Sequence, residues 1–432
     1  MMTLDRRRTL VLSLLIASVA IKAHGQAEPT ATADALYPGF QLPDLEGSLH
    51  FALSASQRVS TNYNGTGQTV GSTSIAGDLG YLSRSEVHPF SMIYSGGYLG
   101  NTGDATGQPS SVFQNLALSQ VFQTRQFHFI VADAVSYLPT APTTGLSGIP
   151  GIGDLGITAV QVGPVSGQGI LTSYAPRVNN NASATVQRNL TGSTTVEGSG
   201  SFLIQRFVEG QDANGIDNNQ STGIGGVTHR IDARNTISAN YTYSRFTYPS
   251  VSFSFTSQSA NLEYIRQVNR RILVDVTLGP QRTAGSAGIT SSLSLAVQAN
   301  ATYTGELSTL GLVFSRGTNS GSGVVQGAQI NNLSANVTRK LGRDWNAAAL
   351  IGYTHTASLP GLSAQPLLTD IEVASFQANR KIGNYLSAFV SYSLQNQSAQ
   401  GFATVVNVQN GISHIVGVGL TYSPSLIHLG HQ

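Results

Sequence analysis

The sequence predicts an all-β chain: a transmembrane antiparallel up-and-down β-barrel of roughly 16 to 18 strands, with 18 preferred, preceded by a cleaved signal peptide. Three observations support this fold class. Long segments alternate between polar and apolar residues, one hairpin unit recurs along the chain, and only 10% of the residues are charged. Together they indicate a sheet with one face toward hydrocarbon and the other toward water.

The first 27 residues have the features of a secretory signal peptide. Three arginines at 6–8 precede an apolar run over 10–21, and small residues frame a cleavage site within 23–27. The run is shorter than the roughly 20 apolar residues of a transmembrane helix, so a membrane anchor is the weaker alternative. We therefore expect a signal peptide over 1–27 and a periplasmic linker over 28–46.

Strand-like alternation is clearest over 236–244, 292–303 and 385–395. In the second segment Leu293 and Leu295 share one face and Ser294 lies on the other. Each run is about as long as the 9–11 residues that a tilted strand needs to cross a membrane. Strands of soluble proteins usually have about 5–6 residues. The pattern therefore favours membrane-spanning strands.

Short polar turns, most of them marked by arginine, recur at positions 188, 230, 266, 303, 339 and 380, which are 36 to 42 residues apart. Two long strands, a tight turn and a longer loop fit this spacing. A β-propeller or β-solenoid is the alternative, but four strands per unit would be too short for the observed alternation.

Eight such hairpins, an opening strand near 47–60 and a closing strand near 412–423 give the preferred strand number. We expect the barrel over 47–423 and a C-terminal tail over 424–432. The longest connection, 138–175, is predicted to fold inward as a constriction, to cap the mouth or to remain an exposed loop.

Composition limits the function further. The charged fraction of 10% is well below the roughly 25% of typical globular chains. The net charge is only +2, without a basic stripe, so nucleic-acid binding is not expected. Cysteine is absent, which excludes disulfides and thiolate metal sites.

The last predicted strand, Gly417-Val418-Gly419-Leu420-Thr421-Tyr422, resembles the assembly signal of porin-like bacterial outer-membrane β-barrels. The resemblance covers about 47–422, and the chain departs from it because residues 423–432 follow the final aromatic residue. The Ser/Thr/Asn-rich composition is also similar to that of barrels associated with exopolysaccharide export. The resemblance implies a location in the cell outer membrane, with outer-membrane lipids and the barrel-assembly machinery as partners.

Two sets of charged residues are candidates for function. Four arginines, Arg188, Arg266, Arg339 and Arg380, continue the apolar phase of their strands, so we expect them at the periplasmic interface, reaching toward lipid phosphates or hydrating the turns. Three acidic residues, Glu197, Glu263 and Asp275, lie on the polar phase, so we expect them to face the lumen or to pack inside a filled barrel.

The chain carries no convincing catalytic or cofactor motif. The G-x-G-x-x-G sequence at 151–156 follows Pro150 and precedes a strand-like segment, whereas dinucleotide binding requires a strand before it and a helix after it. The nine histidines are scattered. We expect no enzyme activity, no cofactor and no metal site.

A barrel of this size normally leaves an aqueous channel. We expect passive or semi-selective passage of small polar or saccharide solutes, because no ring of one charge sign is visible. The alternatives are a structural or adhesive surface barrel with a blocked lumen, a barrel associated with exopolysaccharide export, and a soluble secreted β-protein.

Overall fold

The computed structural model describes residues 47–61, 67, 69–83, 85, 88–102, 110–138, 176–208, 215–285, 291–321, 325–361, 367–401, 410–424 and 427–428. The predicted signal peptide, the linker over 28–46, and the connection after Leu138 with its G-x-G-x-x-G sequence lie outside these residues.

The described chain consists almost entirely of β-strands of 12 to 17 residues. The strands are β1 (Ser48–Thr61), β2 (Val70–Leu82), β3 (Phe90–Thr102), β4 (Ser111–Gln123), β5 (Phe127–Leu138), β6 (Arg177–Asn189), β7 (Thr194–Phe207), β8 (Asn218–Arg230), β9 (Asn235–Tyr248), β10 (Phe253–Asn269), β11 (Ile272–Gly285), β12 (Ser292–Thr304), β13 (Ser308–Asn319), β14 (Ala328–Lys340), β15 (Trp345–Ser358), β16 (Leu368–Ile382), β17 (Leu386–Gln400) and β18 (Gly411–Tyr422). A single 3₁₀ turn, Pro249–Val251, joins β9 to β10. Nowhere in the described ranges is there a helix long and apolar enough to cross a bilayer.

The 18 strands form a closed antiparallel barrel, as the sequence predicted. Each strand pairs with its neighbours in the chain, and β1 closes the ring by pairing with β18 from Leu53 opposite Tyr422 to Thr61 opposite His414. Two residues beyond the barrel, Ile427–His428, form β19 and pair with Ser48–Leu49 at the start of β1. Closure satisfies the backbone groups that an open sheet edge would leave unpaired in lipid.

The two faces of the sheet differ in chemistry. Along β10, Leu262 and Tyr264 point outward and are 50% and 39% exposed, whereas Glu263 between them points inward and is 9% exposed. Most of the exposed large apolar side chains lie on the outer face in this way, which is the reverse of a soluble protein. The outer face is therefore suited to hydrocarbon, and the inner face carries the polar residues.

The barrel has two distinct rims. The short turns, such as the one between Asn269 and Ile272, and both ends of the barrel lie at one rim, called here the lower rim. The longer connections, including the one from Leu138 to Arg177, leave from the upper rim. In bacterial barrels the short turns face the periplasm and the long loops face outside.

The apolar outer band has the height of a membrane. On β11, Val274 lies opposite Arg266 at the lower edge, and Arg282 lies eight residues further up. On β9, Asn235 is opposite Arg266, and Arg245 lies ten residues further up. With strands rising about 3.4 Å per residue and tilted by about 40°, these spans are about 20–27 Å high, against an apolar band of about 25 Å in known barrels.

Candidate functional site

The inner wall of the barrel is lined mainly by hydroxyl and amide side chains. They hydrogen-bond across neighbouring strands, as in the hydroxyl pairs Ser56–Ser74 at 2.9 Å and Thr222–Ser244 at 3.0 Å. These contacts arise because directly opposite residues of an antiparallel pair point to the same face. The wall therefore presents both donors and acceptors with little net charge.

The three acidic residues predicted to face the lumen lie on the inner face of β7, β10 and β11. The Glu197 carboxylate accepts a hydrogen bond from Gln187 Nε2 at 2.8 Å, and the Asp275 carboxylate accepts one from Asn300 Nδ2 at 3.2 Å. Glu263 accepts a hydrogen bond from the Ser238 hydroxyl. We call this set the acidic group; the partners hold each carboxylate against the wall.

Members of the acidic group are close enough to interact. Glu263 is opposite Thr277, so Asp275 is its diagonal neighbour at about 7–8 Å. Two like charges at that separation repel by about 0.5 kcal/mol in water and about 2 kcal/mol at an effective dielectric constant of 20. A cation passing this wall would relieve that repulsion. One oxygen of the group, Asp275 Oδ1, is buried and has no hydrogen-bond partner among the residues that the structure describes.

A basic residue lies on the facing wall. Arg58 of β1 points inward, since a Cβ added to the inward-facing Gly417 would lie 3.1 Å from Arg58 Cγ. In the 18-stranded ring β1 is half a circumference from β10, so Arg58 and Glu263 belong to opposite walls. The acidic side chain of Asp78 on β2 also points inward and accepts a hydrogen bond from the Ser95 hydroxyl at 2.5 Å.

An apolar patch inside the barrel was not predicted from the sequence. Leu350 of β15 packs against Ile371 and Val373 of β16, and all three are at most 6% exposed. The signal for the patch is the unbroken apolar run 347–351, which gives β15 apolar residues on both faces. The expectation that one face of each strand meets hydrocarbon and the other meets water therefore does not describe this part of the wall.

A cluster of aromatic side chains covers part of the upper mouth. We call it the mouth cluster; it consists of four aromatic residues, Phe246, Tyr248, Phe253 and Phe255, and the aliphatic Leu359. The rings of Phe246 and Phe255 stack with centroids 4.4 Å apart, and the Tyr248 hydroxyl donates a hydrogen bond to the carbonyl oxygen of Ser320 at 2.9 Å. These contacts join the β9–β10 hairpin to the upper ends of β13 and β15.

The mouth cluster forms because the β13–β14 hairpin leans inward. Pairing of β12 with β13 stops at Val297 opposite Arg316, whereas β13 stays paired with β14 as far as Asn319. Above that point Thr318 Oγ1 donates a hydrogen bond to Gln281 Oε1 of β11 at 3.3 Å, reaching past β12. The end of β13 therefore leaves the wall and covers the inner face of its neighbours.

The four arginines predicted at the periplasmic interface lie on the outer face near the lower rim and are exposed. The Arg188 guanidinium lies 5.3 Å from the ring centroid of Phe127, and the Arg380 guanidinium lies 5.5 Å from that of Trp345. Such contacts between cations and aromatic faces are typical of side chains at the edge of an apolar surface. The other two, Arg266 and Arg339, lie opposite Asn235 and Ser308.

Within the described ranges, no three His, Cys, Asp or Glu side chains come together as a potential metal site.

No protein-family model matches the chain, and no curated protein matches it. Solved outer-membrane proteins are similar in structure. OccK2 (OpdF) of Pseudomonas aeruginosa, solved in complex with glucuronate, has 13% identity and a TM-score of 0.43 over 87% of this chain and 98% of its own. OccAB3 of Acinetobacter baumannii has 11% identity and a TM-score of 0.44 over 87% and 99%. The siderophore receptor PirA of P. aeruginosa has 10% identity and a TM-score of 0.38 over 87% and 80%.

At these identities and TM-scores the similarity says nothing about solutes, so the inner wall is interpreted from its own residues. The architecture itself identifies the class. A closed barrel with an even number of strands, an apolar outer band of membrane height and both barrel ends at one rim is an integral outer-membrane β-barrel of the bacterial type. The predicted fold and location are confirmed.

Proposed function

We propose that the protein is a channel for passive or semi-selective passage of small polar solutes across the outer membrane. The observation that carries the proposal is the closed 18-stranded barrel with a hydroxyl- and amide-lined inner wall. Side chains alone do not fill a barrel of this strand number, so an aqueous path is the normal result.

Neutral, polyhydroxylated solutes such as saccharides are the proposed substrate class. Wall groups such as Ser375 and Ser393, whose hydroxyls are 2.9 Å apart, can each donate and accept hydrogen bonds, and a sugar offers the same two functions. The few inner charges form no ring of one sign. Because the acidic group and Arg58 lie on opposite walls, we expect only a weak preference for cations.

The test is ion conductance of the purified barrel in planar bilayers. It compares substitutions at two adjacent residues whose side chains point to opposite faces of the sheet. Ser334 of β14 points into the barrel opposite Gly352, and its neighbour Ala335 points to lipid opposite Ile351. Ser334→Trp should lower the single-channel conductance, whereas Ala335→Trp should leave it unchanged. Absence of any channel in the wild-type protein at all voltages would contradict the proposal.

A blocked barrel with a structural or adhesive role is the second candidate, and one observation favours it. Inner-face side chains near the upper rim are almost completely covered, including Thr283 at 1% and Thr369 at 0% exposed. The mouth cluster provides part of this cover. In this case the wild-type barrel would not conduct, and truncation of the mouth cluster would open it.

The lower arginines are proposed to bind phosphates of the periplasmic leaflet. At the interface an outward arginine costs only about 0–1 kcal/mol, and an anionic partner would offset it. Replacing Arg266 and Arg339 with Gln should lower the yield of folded barrel, measured by heat-modified gel mobility. Unchanged mobility and yield would mean that these side chains only hydrate the turns.

A further inference from the structure

A second set of outward arginines lies at the upper edge of the apolar band. They occupy alternate strands: Arg206 on β7, Arg245 on β9, Arg282 on β11 and Arg316 on β13. We call them the upper arginine arc. Each points outward, because its pairing places it on the face of exposed apolar residues, as with Arg282 opposite Leu293, which is 77% exposed.

Register gives the spacing along the arc. Arg245 is opposite Thr256, which is opposite Ala284, two residues above Arg282. Neighbouring arginines are thus two strands and two to four residues apart, about 12–17 Å between Cα atoms. Because arginine side chains are long and flexible, adjacent guanidinium groups can reach the same lipid head group or two head groups that are in contact.

Three of these arginines have no partner within the described chain. The guanidinium groups of Arg245, Arg282 and Arg316 make no hydrogen bond or ion pair with a described residue. Arg206 differs, because its guanidinium group donates hydrogen bonds to the carbonyl oxygens of Gln205 at 2.8 Å and Asn218 at 3.1 Å and to Asn219 Oδ1 at 2.7 Å. It also forms an ion pair with Asp217 at 3.9 Å, so it is not one of the proposed ligands.

No acidic side chain on the outer face of the described strands compensates the charge of Arg245, Arg282 and Arg316. Among the described strands from β8 to β14 the acidic residues, Glu263 and Asp275, point inward, and no outward side chain is acidic. On β16, by contrast, Asp370 and Glu372 point outward at a similar height. The outer surface at the upper edge is therefore basic on one side and acidic on the other.

The chemistry of the arc selects its ligand. A guanidinium group binds phosphate through paired N–H donors, and basic residues at a membrane surface attract anionic head groups. Below the arc lies an apolar surface that includes Tyr243, Leu278, Leu295 and Leu312, each 40–50% exposed. A free phosphate would leave this surface uncovered, whereas the acyl chains of a lipid would cover it.

We propose that Arg245, Arg282 and Arg316 bind the phosphate-bearing head group of a lipid in the external leaflet. The proposal depends on the placement of the barrel in the membrane and is independent of the channel function. A non-conducting barrel would bind the lipid equally well.

The test is titration of the full, detergent-solubilised barrel with diphosphoryl lipid A, followed by native mass spectrometry. The triple variant Arg245→Gln, Arg282→Gln, Arg316→Gln should bind roughly a hundredfold more weakly, since each basic residue near an anionic surface adds about a factor of five. A matched triple, Arg125→Gln, Arg234→Gln, Arg343→Gln, removes the same charge from turns at the lower rim and should bind like wild type.

Two further probes separate the sources of phosphate. The same lipid with both phosphates removed should bind weakly, and inorganic phosphate should not displace the intact lipid. Equal binding by wild type and the upper triple, tight binding of the dephosphorylated lipid, or full displacement by inorganic phosphate would each overturn the proposal. Should the triple not fold, Arg282→Lys should retain more binding than Arg282→Gln, and equal binding by these two would count against it.

Discussion

Truncation of Phe255 should reveal what the mouth cluster contributes. The Phe255 ring is 1% exposed, stacks on Phe246 and lies against Gly327, where an added Cβ would be 2.6 Å from the ring. A buried Phe covers about 150–250 Å², and at about 25 cal/mol per Å² its transfer contributes up to about 4–6 kcal/mol. Because such areas are upper bounds, we expect Phe255→Ala to lower the free energy of unfolding by about 3–5 kcal/mol.

The assay is urea unfolding of the barrel in detergent micelles, followed by the fluorescence of the single tryptophan, Trp345. Phe129→Ala is the matched control, because Phe129 faces outward and is 40% exposed. Detergent or lipid can fill the space that this ring leaves, so its loss should cost less. Equal destabilisation by the two variants would refute the view that the mouth cluster is a packed unit.

The same pair of variants connects stability to function. If the cluster narrows an open channel, Phe255→Ala should increase conductance, and if it seals the barrel, the variant should conduct where the wild type does not. Phe129→Ala should leave the conductance unchanged in either case. Unchanged conductance in Phe255→Ala would mean that the cluster lies beside the solute path.

Further predictions concern the lumen, the wall and one turn. Neutralising two members of the acidic group with Glu263→Gln and Asp275→Asn should shift the reversal potential in a salt gradient toward zero; an unchanged potential would exclude these two carboxylates from the ion path. Gly279→Ala should destabilise the barrel by about 1–3 kcal/mol, because the new Cβ would lie 2.0 Å from the carbonyl oxygen of Ala260. Thermal unfolding should show no comparable loss for Gly223→Ala, where no described atom lies within 4 Å of the new Cβ. In the β8–β9 turn the backbone N–H of Arg234, then the Asn235 side chain, bind the Asp232 carboxylate and lower its pKa. The stabilisation by Asp232 should therefore be present above the ordinary Asp pKa of about 3.9 and decline as the pH falls below it; unfolding rates of Asp232→Ala that show the same acid dependence as wild type would contradict this.

Strand positions could be predicted because each face of a membrane-spanning strand meets one solvent. The predicted opening strand near 47–60 and closing strand near 412–423 correspond to β1 and β18 within a residue or two. Where both faces are apolar the rule fails. Leu350 points inward although its neighbours Ala349 and Ile351 are apolar too, so alternation could not assign it.

The mouth cluster was beyond sequence reasoning for a different reason. Phe246 and Phe255 come together through a local hairpin, which spacing around Pro249 could have indicated. The packing of Leu359 against these rings and the hydrogen bond from the Tyr248 hydroxyl to Ser320, however, are contacts between hairpins that are distant in the sequence. The alternation of polar and apolar residues alone was enough to assign the acidic residues to the inner face and the lower arginines to the outer face. Their predicted roles stay predictions.

The pairing of β1 with β18 has a consequence for how the barrel folds. All other neighbouring strands of the barrel follow one another directly in the chain, but this seam joins residues about 370 positions apart, as with Leu53 and Tyr422. Bringing such distant ends together costs about 5 kcal/mol in loop-closure entropy. The pairing of β1 with β18 should therefore form last and slowly. The additional pairing of Ile427–His428 with Ser48–Leu49 lengthens the seam that closes the barrel.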